Sequence, residues 1–492
     1  MLNFIIGRNN SGKTEKIRAL IAERASENKK CILIVPEQFS FESERSILEK
    51  IGAQKMLNVD ILSFTRLAFV INEQYGKALN KTIDDGTRKV LMSLSLEALS
   101  GKLEYFKRFS SKPALLSNLL TFVTELKQCA VTPDEIAEIS GKTGNKSLGK
   151  KLSELSLIAA SYDALVSRSF FDDENLLTIA ADMISETDFF DGKAVYFDAF
   201  CGFTKQERNC IKSILPKAEN VFISLCTDRD LSREGVSVFE NVNSEFSHLK
   251  ECAAEQNVGV SSPEILNVKE DGRSPELVYL EKYLCGEESE PYKEECDNIV
   301  VCAAGNRADE ADFVACEIKK LLRCNPTLRC RNIAVIERTA GTYDKELSES
   351  FKKYGVPMFE DKRRPIGIHP VMVFVKCLLA LCAEGFSTES FMRLLKTGLT
   401  ALSGDEISEL ENYAFLWNID GSKWRRDFTE NPDGLGFDVT EKSQEKLIRL
   451  NDIRKRSVLP VLAFKKDFEE ADGEKKSRLI YEFLIKNGVT ER

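Results

Sequence analysis

The sequence predicts an α/β fold that is built on a parallel β-sheet. Five short apolar runs, rich in β-branched and aromatic residues, are typical of buried strands. Amphipathic helical patterns, such as the one from Thr14 to Ala25, separate most of these runs. Such alternation is typical of parallel strands that are covered by helices on both faces of the sheet. The five predicted strands are residues 3–6, 31–35, 59–62, 194–197 and 221–225.

One long interval, between the third and the fourth predicted strand, breaks this alternation. From residue 71 to residue 189 the chain is rich in leucine at helical spacing, and turn signals around Pro113 and Pro133 divide it. This pattern predicts an all-helical insertion. We therefore predict a first domain that consists of residues 1–70 and 190–284, with the helical insertion at 71–189.

The rest of the chain predicts the start of a second α/β domain. An acidic segment that is poor in strand formers indicates a linker. Two further β-branched runs follow at residues 299–302 and 333–336, with a helical pattern from about Asp309 to Leu322 between them. Together they predict one βαβ unit. The predicted boundaries are a linker at 285–297, the start of the second domain at 298–370 and a helical insertion of that domain at 371–492.

Composition excludes several classes of protein. A chain of 492 residues is long enough for about three domains. Hydrophobic residues at 43% and charged residues at 30% are globular values, so disordered and fibrous architectures are excluded. The presence of only 2 histidines nearly excludes a His-ligated metal site. The formal charge of -9 argues against a globally basic surface, whereas a local basic groove remains compatible with it.

Cysteine spacing and hydropathy predict a cytoplasmic protein. The 14 cysteines form no CxxC pair, which is typical of reduced thiols. The segment before Gly7 lacks the basic region and the long apolar run of a signal peptide. The most apolar stretch, from Val371 to Cys382, is shorter than the roughly 20 residues that cross a bilayer. We predict a buried helix there, and neither export nor a membrane partner.

A glycine-rich motif between the first predicted strand and the first predicted helix predicts a phosphate-binding loop. Backbone N–H groups and the helix N-terminus would surround the phosphates of ATP. Lys13 would neutralise the β and γ phosphates, and the Thr14 hydroxyl would hold Mg²⁺. The alternative is a fortuitous glycine-rich turn. The motif consists of Gly7, Arg8, Asn9, Asn10, Ser11, Gly12, Lys13 and Thr14, and Asn10 is among the residues that tolerate positive φ.

Two features of the sequence predict weak ATP turnover and loose recognition of the base. Asp198, at the end of the fourth predicted strand, would complete the Mg²⁺ shell, and its alternative role is a strand-end cap. Ala199 follows where an acidic residue usually orients the attacking water. Only six residues precede Gly7, which leaves no room for an upstream glutamine that reads adenine. We expect base recognition to be loose or to be made elsewhere.

Polar and aromatic residues follow the second, third and fourth predicted strands. Because ligands of parallel sheets bind beyond the carboxyl ends of the strands, these residues are candidates for binding single-stranded DNA. Phenylalanine rings would stack on bases, while arginine and glutamine would bond base edges or phosphates. The alternative for the phenylalanines is a place in the core. The arginine and glutamine are Arg66 and Gln38, and the phenylalanines are Phe64, Phe69 and Phe200.

Basic residues in the second half of the chain form three clusters, at 362–364, 423–426 and 454–456. They would contact a phosphate backbone, although most charge runs are solvated faces. Arg338 follows the predicted strand at 333–336. It would reach the γ-phosphate from the second domain, and the alternative is an ordinary surface arginine.

Together these residues resemble the N-terminal part of the AddB/RexB family, the B subunits of the bacterial AddAB (RexAB) helicase–nuclease. The resemblance lies in five motifs that occur in order through most of the chain. They are GRxxSGKT at 7–14, VPEQxSF at 35–41, SFTRLAF at 63–69, YFDAF at 196–200, and YGVP at 354–357 followed by His369-Pro370.

The resemblance implies two RecA-like domains of the superfamily 1 helicase type, each with a helical insertion. It implies an AddA-type partner that acts as the motor, while this subunit scans single-stranded DNA for the hotspot Chi. Gln38, Phe64, Arg66 and Phe200 match family positions implicated in Chi recognition. Ser40 and Phe69 match such positions but depart from the pattern, since Thr and Trp occur there, so the recognised sequence stays open.

The resemblance also places a nuclease motif and a cysteine-bound 4Fe–4S cluster in a C-terminal part that lies outside these residues. We therefore expect this chain to bind ATP and DNA without cutting DNA. Two rival interpretations stay open. One is an autonomous ATPase or DNA translocase with a phosphate-binding loop, and the other is a purely structural protein whose loop binds nothing.

Overall fold

A computed structural model describes residues 1–76, 83–109, 112–169, 173–228, 238–267, 273–283, 290–360 and 366–489. The chain divides into two compact units, Met1–Val301 and Cys302–Arg492. In the part of the chain that the structure describes, no helix is both long and apolar enough to cross a bilayer.

The first unit contains a six-stranded sheet in which every neighbouring pair is parallel. All five strands predicted from the sequence are confirmed. The sixth strand has only two residues and was not predicted. In chain order the strands are β1 (Leu2–Ile6), β2 (Cys31–Ile34), β3 (Val59–Leu62), β4 (Ala194–Phe197), β5 (Asn220–Leu225) and β6 (Glu264–Ile265), and the order across the sheet is β3-β2-β4-β5-β1-β6.

The helices of the first unit begin at residues that suit helix starts. Ser63 accepts a hydrogen bond from the Arg66 N–H, and Thr204 and Glu207 form a capping box. The helices are α1 (Lys13–Ser26), α2 (Ser40–Ile51), α3 (Ala53–Met56), α4 (Phe64–Tyr75), α5 (Asp85–Ala98), α6 (Pro113–Gln128), α7 (Pro133–Lys142), α8 (Lys146–Ser169), α9 (Asp173–Glu186), α10 (Lys205–Ile214), α11 (Glu240–Glu255) and α12 (Pro275–Tyr283).

Helices cover both faces of the sheet. One face packs on α1 and α2 through residues such as Ile17 and Ile47, and the other packs on α4, α9, α10 and α11 through residues such as Leu67 and Leu249. Alternate residues of one strand point to opposite faces, so Phe4 and Ile5 belong to different cores. This is the three-layer arrangement expected of a parallel sheet.

The helical insertion has a core of its own, formed by α5, α6 and α8 around Met92, Leu119 and Tyr162. Helix α9 and the end of α4 fall inside the predicted insertion but contribute Leu176 and Ile71 to the core of the sheet. Leucine spacing alone does not reveal which core a helix joins. The predicted domain boundaries themselves stay a prediction.

The two strands predicted at 299–302 and 333–336 do not form in the described structure, so this prediction is wrong for these residues. The backbone at Ile333 is extended, with φ -116° and ψ 126°, but neither segment pairs with another strand there. Val301 is 92% exposed and Ile336 is 91% exposed. A β-branched run favours an extended backbone, whereas a strand also needs a neighbour to pair with.

The helices at Arg307–Cys324 and from Pro370 onward agree with the predicted helical patterns, whereas the helix at Asp344–Tyr354 was not predicted. Helices α13 and α14 pack through Ala315, Ile318 and Phe351. The apolar stretch at 371–382 is a helix with Leu378 and Leu381 buried, which confirms the predicted buried helix. The helices are α13 (Arg307–Cys324), α14 (Asp344–Tyr354), α15 (Pro370–Ala383), α16 (Thr388–Leu395), α17 (Gly404–Leu416), α18 (Glu441–Glu470) and α19 (Gly473–Lys486).

Candidate phosphate-binding loop and strand-end residues

The parallel sheet brings the predicted site residues of the first unit to one edge. Because all six strands run in the same direction, their carboxyl ends lie together. The glycine-rich loop follows β1, Gln38 follows β2, Arg66 follows β3 and Asp198 follows β4. Residues that are far apart in the chain therefore share one end of the sheet.

The loop between β1 and α1 has the backbone that the sequence predicts. Asn10 has φ 58° and Gly12 has φ 88°, both in the left-handed region, which confirms the expectation for Asn10. Gly7 is closely packed, because a Cβ added there would lie 2.3 Å from the Ser11 Oγ and 2.9 Å from the Leu266 carbonyl oxygen. A side chain at position 7 would therefore disrupt the turn.

Lys13 is held by the loop that precedes it. Its Nζ donates hydrogen bonds of 2.8 Å to the carbonyl oxygens of Gly7 and Arg8. The ammonium group therefore lies within the curve of the loop, close to the N-terminus of α1. A positive charge and the N–H groups of a helix start together favour an anion at this point.

Asp198 is buried at the end of β4, where its Oδ1 accepts a hydrogen bond of 2.5 Å from the Ser224 hydroxyl on β5. Strand β5 separates β4 from β1, so Asp198 and Gly7 lie about two strand spacings, or about 10 Å, apart. Ala199 follows with φ 64° and is exposed. Sequence reasoning missed Ser224, which is one small polar residue in an apolar strand.

The donors at this edge fit Mg²⁺ bound together with a nucleotide. Mg²⁺ takes oxygen ligands, commonly one or two carboxylates with phosphates and water. Asp198 supplies a carboxylate and Thr14, in the first turn of α1, supplies a hydroxyl. Within the described ranges no group of three or more His, Cys, Asp or Glu side chains is placed to hold a metal ion.

Helix α12 forms an outer wall beside the loop, which sequence reasoning did not predict. The Arg8 Nη1 donates to the Lys282 carbonyl oxygen at 3.2 Å, and the Arg8 Nε lies 3.5 Å from Glu281 Oε1. With the Asn10 amide turned so that its oxygen faces Arg273, that oxygen accepts a hydrogen bond of 2.9 Å from the arginine Nε. These contacts join segments at opposite ends of the first unit's sequence, so no local pattern could reveal them.

Phe64 lies in the core, as its alternative interpretation held. It is 6% exposed, and its ring centroid lies 5.9 Å from that of Phe197 and 5.5 Å from that of Phe200. Phe200 is half-buried in the same cluster. These rings stabilise the turn after β4.

The other strand-end candidates lie at or near the surface. Gln38 and Arg66 are exposed, and Phe69 is 44% exposed. Ser40 begins α2, and its hydroxyl donates to the Glu37 carbonyl oxygen at 2.9 Å. Phe41 is 77% exposed beside it, and sequence reasoning did not single it out. The roles of these residues toward DNA stay predictions.

The structure gives the basic clusters of the second unit different environments. Residues 362–364 lie outside the described residues. Trp424 is fully buried, with Lys423 and Arg425 exposed on either side. Arg454 is 3% exposed and forms an ion pair with Asp427, so it stabilises the helical core.

Arg456 and Arg338 are two further exposed arginines of the second unit. Arg456 is paired with Asp452 at 2.8 Å. Arg338 is exposed in the second unit, and its role toward the γ-phosphate stays a prediction.

These features define a parallel α/β protein in which a glycine-rich loop follows the first strand and binds the ammonium group of a lysine through its carbonyl oxygens. The chain belongs to the family described as "ADDB, N-terminal", whose profile matches residues 4–281. This confirms the family that the motifs indicate.

Curated relatives match over the whole chain. Proteins of Acetivibrio thermocellus and Clostridium novyi are each 30% identical, over 100% and 99% of this chain, and one of Clostridium tetani is 31% identical over 100% of it. All three are named as the B subunit of an ATP-dependent helicase/deoxyribonuclease. The chain spans only 43–44% of the length of these relatives.

Proposed function

We propose that this chain is the N-terminal, helicase-like module of the B subunit of an ATP-dependent helicase/deoxyribonuclease. In this proposal it binds ATP with Mg²⁺ and single-stranded DNA, and it recognises Chi rather than driving unwinding. It acts in the cytoplasm with an AddA-type partner, in the repair of DNA double-strand breaks by homologous recombination. The names of the relatives support the helicase/deoxyribonuclease assignment, and the family motifs supply the finer roles.

The observation that carries nucleotide binding is the position of Lys13. Its ammonium is bonded to two carbonyl oxygens inside the loop, where a triphosphate would compete for it. Phosphate oxygens accept stronger, charge-assisted hydrogen bonds from an ammonium group than neutral carbonyls do. The loop N–H groups and the start of α1 would orient the phosphates, and Thr14 and Asp198 would hold the Mg²⁺ that accompanies them.

Weak hydrolysis is the second part of the proposal. When bound, Mg²⁺ neutralises charge on the phosphates. A helicase motor also needs a group that orients the attacking water, and Ala199 has no polar side chain to do so. We therefore expect binding of ATP to exceed its turnover, in keeping with a module that reads DNA.

Exposed side chains at the same edge of the sheet support DNA binding. Arg66 offers a guanidinium that forms no side-chain hydrogen bond or ion pair in the described structure, and Phe41 and Phe69 offer exposed rings. Single-stranded DNA binds to such surfaces by stacking of bases on aromatic rings and by contacts between cations and phosphates. Cleavage of DNA and an iron–sulfur cluster are not proposed for these residues.

Thermal unfolding with and without ATP and Mg²⁺ tests the nucleotide site. A ligand that binds only the folded chain raises the midpoint of unfolding. We expect ATP to raise the midpoint of the unaltered chain and of Lys16→Ala, whose ammonium pairs with Glu264 at 2.6 Å. Lys13→Ala should abolish the rise.

Each rival interpretation predicts a different result. If ATP leaves the midpoint of the unaltered chain unchanged, the loop is structural and the proposal is wrong. If the chain hydrolyses ATP rapidly in the presence of DNA, and Lys13→Ala stops this reaction, the chain is an autonomous motor instead.

A further inference from the structure

A cavity of about 440 Å³ opens beside the phosphate-binding loop. It lies over the carboxyl ends of β1, β5 and β6, and α12 forms its outer wall. Its volume is within the range of about 300–1,000 Å³ that is typical of small-molecule sites. The cavity is lined by Gly7, Arg8, Thr227, Asp228, Ile265, Leu266, Asn267, Val278, Glu281 and Lys282. We call it the α12 pocket.

The position of the α12 pocket suits the nucleoside end of a triphosphate. Lys13, Thr14 and Asp198 would hold the β and γ phosphates with Mg²⁺, and Asp198 does not line the pocket. The triphosphate must therefore extend away from Asp198, past Gly7 and Arg8. Both of these residues belong to the loop and also line the pocket.

The chemistry of the α12 pocket favours an uncharged ring over a further phosphate. Ile265, Leu266 and Val278 supply an apolar wall, which suits the face of a heterocycle. Asp228 and Glu281 supply carboxylates that accept hydrogen bonds from amino or hydroxyl groups, and the cationic Arg8 and Lys282 lie in the same lining. The two acidic and two basic residues of the lining balance in charge, so the apolar wall is the feature that distinguishes the pocket from the cationic loop.

Arg8 connects the loop to the pocket. Its guanidinium carbon lies 5.3 Å from the ring centroid of Phe239, and its Nη1 bonds to the Lys282 carbonyl oxygen in α12. A guanidinium that is fixed in this way offers a flat, charged surface on which a base can stack.

We infer that the α12 pocket binds the base and ribose of the nucleoside triphosphate whose phosphates occupy the loop. This inference rests on the proposed binding of ATP and extends it, because it assigns recognition of the base to residues of β6 and α12 that line the pocket. Helix α12 then serves as the outer wall of the nucleotide site.

Calorimetric titration of the full 492-residue chain with ATP and with inorganic tripolyphosphate, both with Mg²⁺, tests the inference. Stacking of one base contributes about 1–3 kcal/mol, so we expect ATP to bind at least about fivefold more tightly than tripolyphosphate. Val278→Trp fills the pocket and should reduce ATP affinity to that of tripolyphosphate. Its affinity for tripolyphosphate should stay unchanged.

Two further variants make the result decisive. Leu280→Trp, on the same helix but outside the lining of the pocket, should bind ATP as the unaltered chain does. Ile265→Trp fills the pocket from β6 and should repeat the selective loss if Val278→Trp fails to fold.

The two proposals fail in different ways. If neither ATP nor tripolyphosphate binds the unaltered chain, the proposed function fails. If both bind with equal affinity, or if the pocket-filling variants keep full affinity for ATP, nucleotide binding stands and the inference about the base is overturned.

Discussion

The two units of this chain use similar apolar runs in different ways. In the first unit, Ile32 and Val195 lie in neighbouring strands and are fully buried. In the second unit, Val335 and Ile336 are unpaired among the described residues and 45% and 91% exposed. The comparison teaches that a β-branched run forms a strand only where other strands lie beside it, since pairing and burial supply most of its stability.

The ends of these runs differ in the same way. In the first unit, the loops after β1 and β4 share one end of the sheet with four other strand ends, so Lys13 and Asp198 lie at the same end. In the second unit, the segment that ends at Ile336 continues into a local turn, where the Glu337 carboxylate accepts hydrogen bonds from the N–H groups of Gly341 and Tyr343. A site that is assembled from several strands therefore occurs only in the first unit of the described structure.

The largest expected effect tests this difference in burial directly. Phe197→Ala removes a fully buried ring from the sheet core and should lower the free energy of unfolding by about 3–5 kcal/mol. Ile336→Ala removes an exposed side chain and should change it by less than about 0.5 kcal/mol. Urea unfolding followed by circular dichroism measures both.

The fluorescence of Trp417 and Trp424, which both lie in the second unit, checks that this unit remains folded in each variant. Equal destabilisation by the two substitutions would mean that residues 333–336 are a buried strand after all, and the comparison would break down.

A second prediction concerns Asp198. Asp198→Asn keeps the shape of the side chain but removes its charge, so we expect the Mg²⁺-dependent part of ATP affinity to fall about tenfold. Titration with ATP in Mg²⁺ and in EDTA isolates that part. Asp188→Asn is the matched control, because Asp188 accepts a hydrogen bond from the Tyr75 hydroxyl and does not follow a strand. An unchanged Mg²⁺ dependence would make Asp198 a strand-end cap.

A smaller effect is expected for DNA. Arg66→Ala should weaken binding of single-stranded DNA about three- to tenfold at low salt. The difference in affinity between the variant and the unaltered chain should shrink as salt is added, because the variant releases fewer counterions when it binds. Arg45→Ala, which removes an exposed arginine that pairs with Glu49 on α2, serves as the control. Equal losses of DNA affinity in both variants would indicate a general effect of charge. An unchanged affinity in Arg66→Ala would mean that this arginine does not contact DNA. Fluorescence anisotropy of a labelled oligonucleotide measures the affinities.

The last prediction concerns the rate at which cysteine thiols react, and it involves no substitution. Burial raises the pKa of Cys31 to about 11 and also raises the pKa of Cys210. At pH 8 their thiolate fractions are therefore small, and both groups are sheltered. We expect iodoacetamide to modify the exposed Cys316 and Cys324 first, and Cys31 and Cys210 only after unfolding.

Mass spectrometry of the native and the urea-treated chain identifies the modified positions. Raising the pH toward 11 should speed any residual modification of Cys31, since the thiolate is the reactive form. Rapid modification of Cys31 in the native chain at pH 8 would contradict its burial in the sheet.

Much of the fold and of the loop could be predicted from the sequence because the signals are local. The buried strands of the first unit are short continuous apolar runs, and the loop motif lies between a strand and a helix. Strand β6 escaped prediction because two residues, Glu264 and Ile265, carry no periodic pattern. Phe64 was a candidate for DNA contact, and spacing alone could not separate an exposed ring at a helix start from a buried one.

The sequence by itself determined the parallel α/β class, the loop from Gly7 to Thr14 and the family to which the chain belongs. Each depends on contiguous residues whose conformational preferences act over a few positions. Only the tertiary structure decided that Ser224 bonds to Asp198 and that α12 lies beside the loop, where Arg8 bonds to it. It also decided that residues 333–336 stay unpaired in the described structure. These features join segments that are far apart in the chain, so they depend on which surfaces meet when the chain packs.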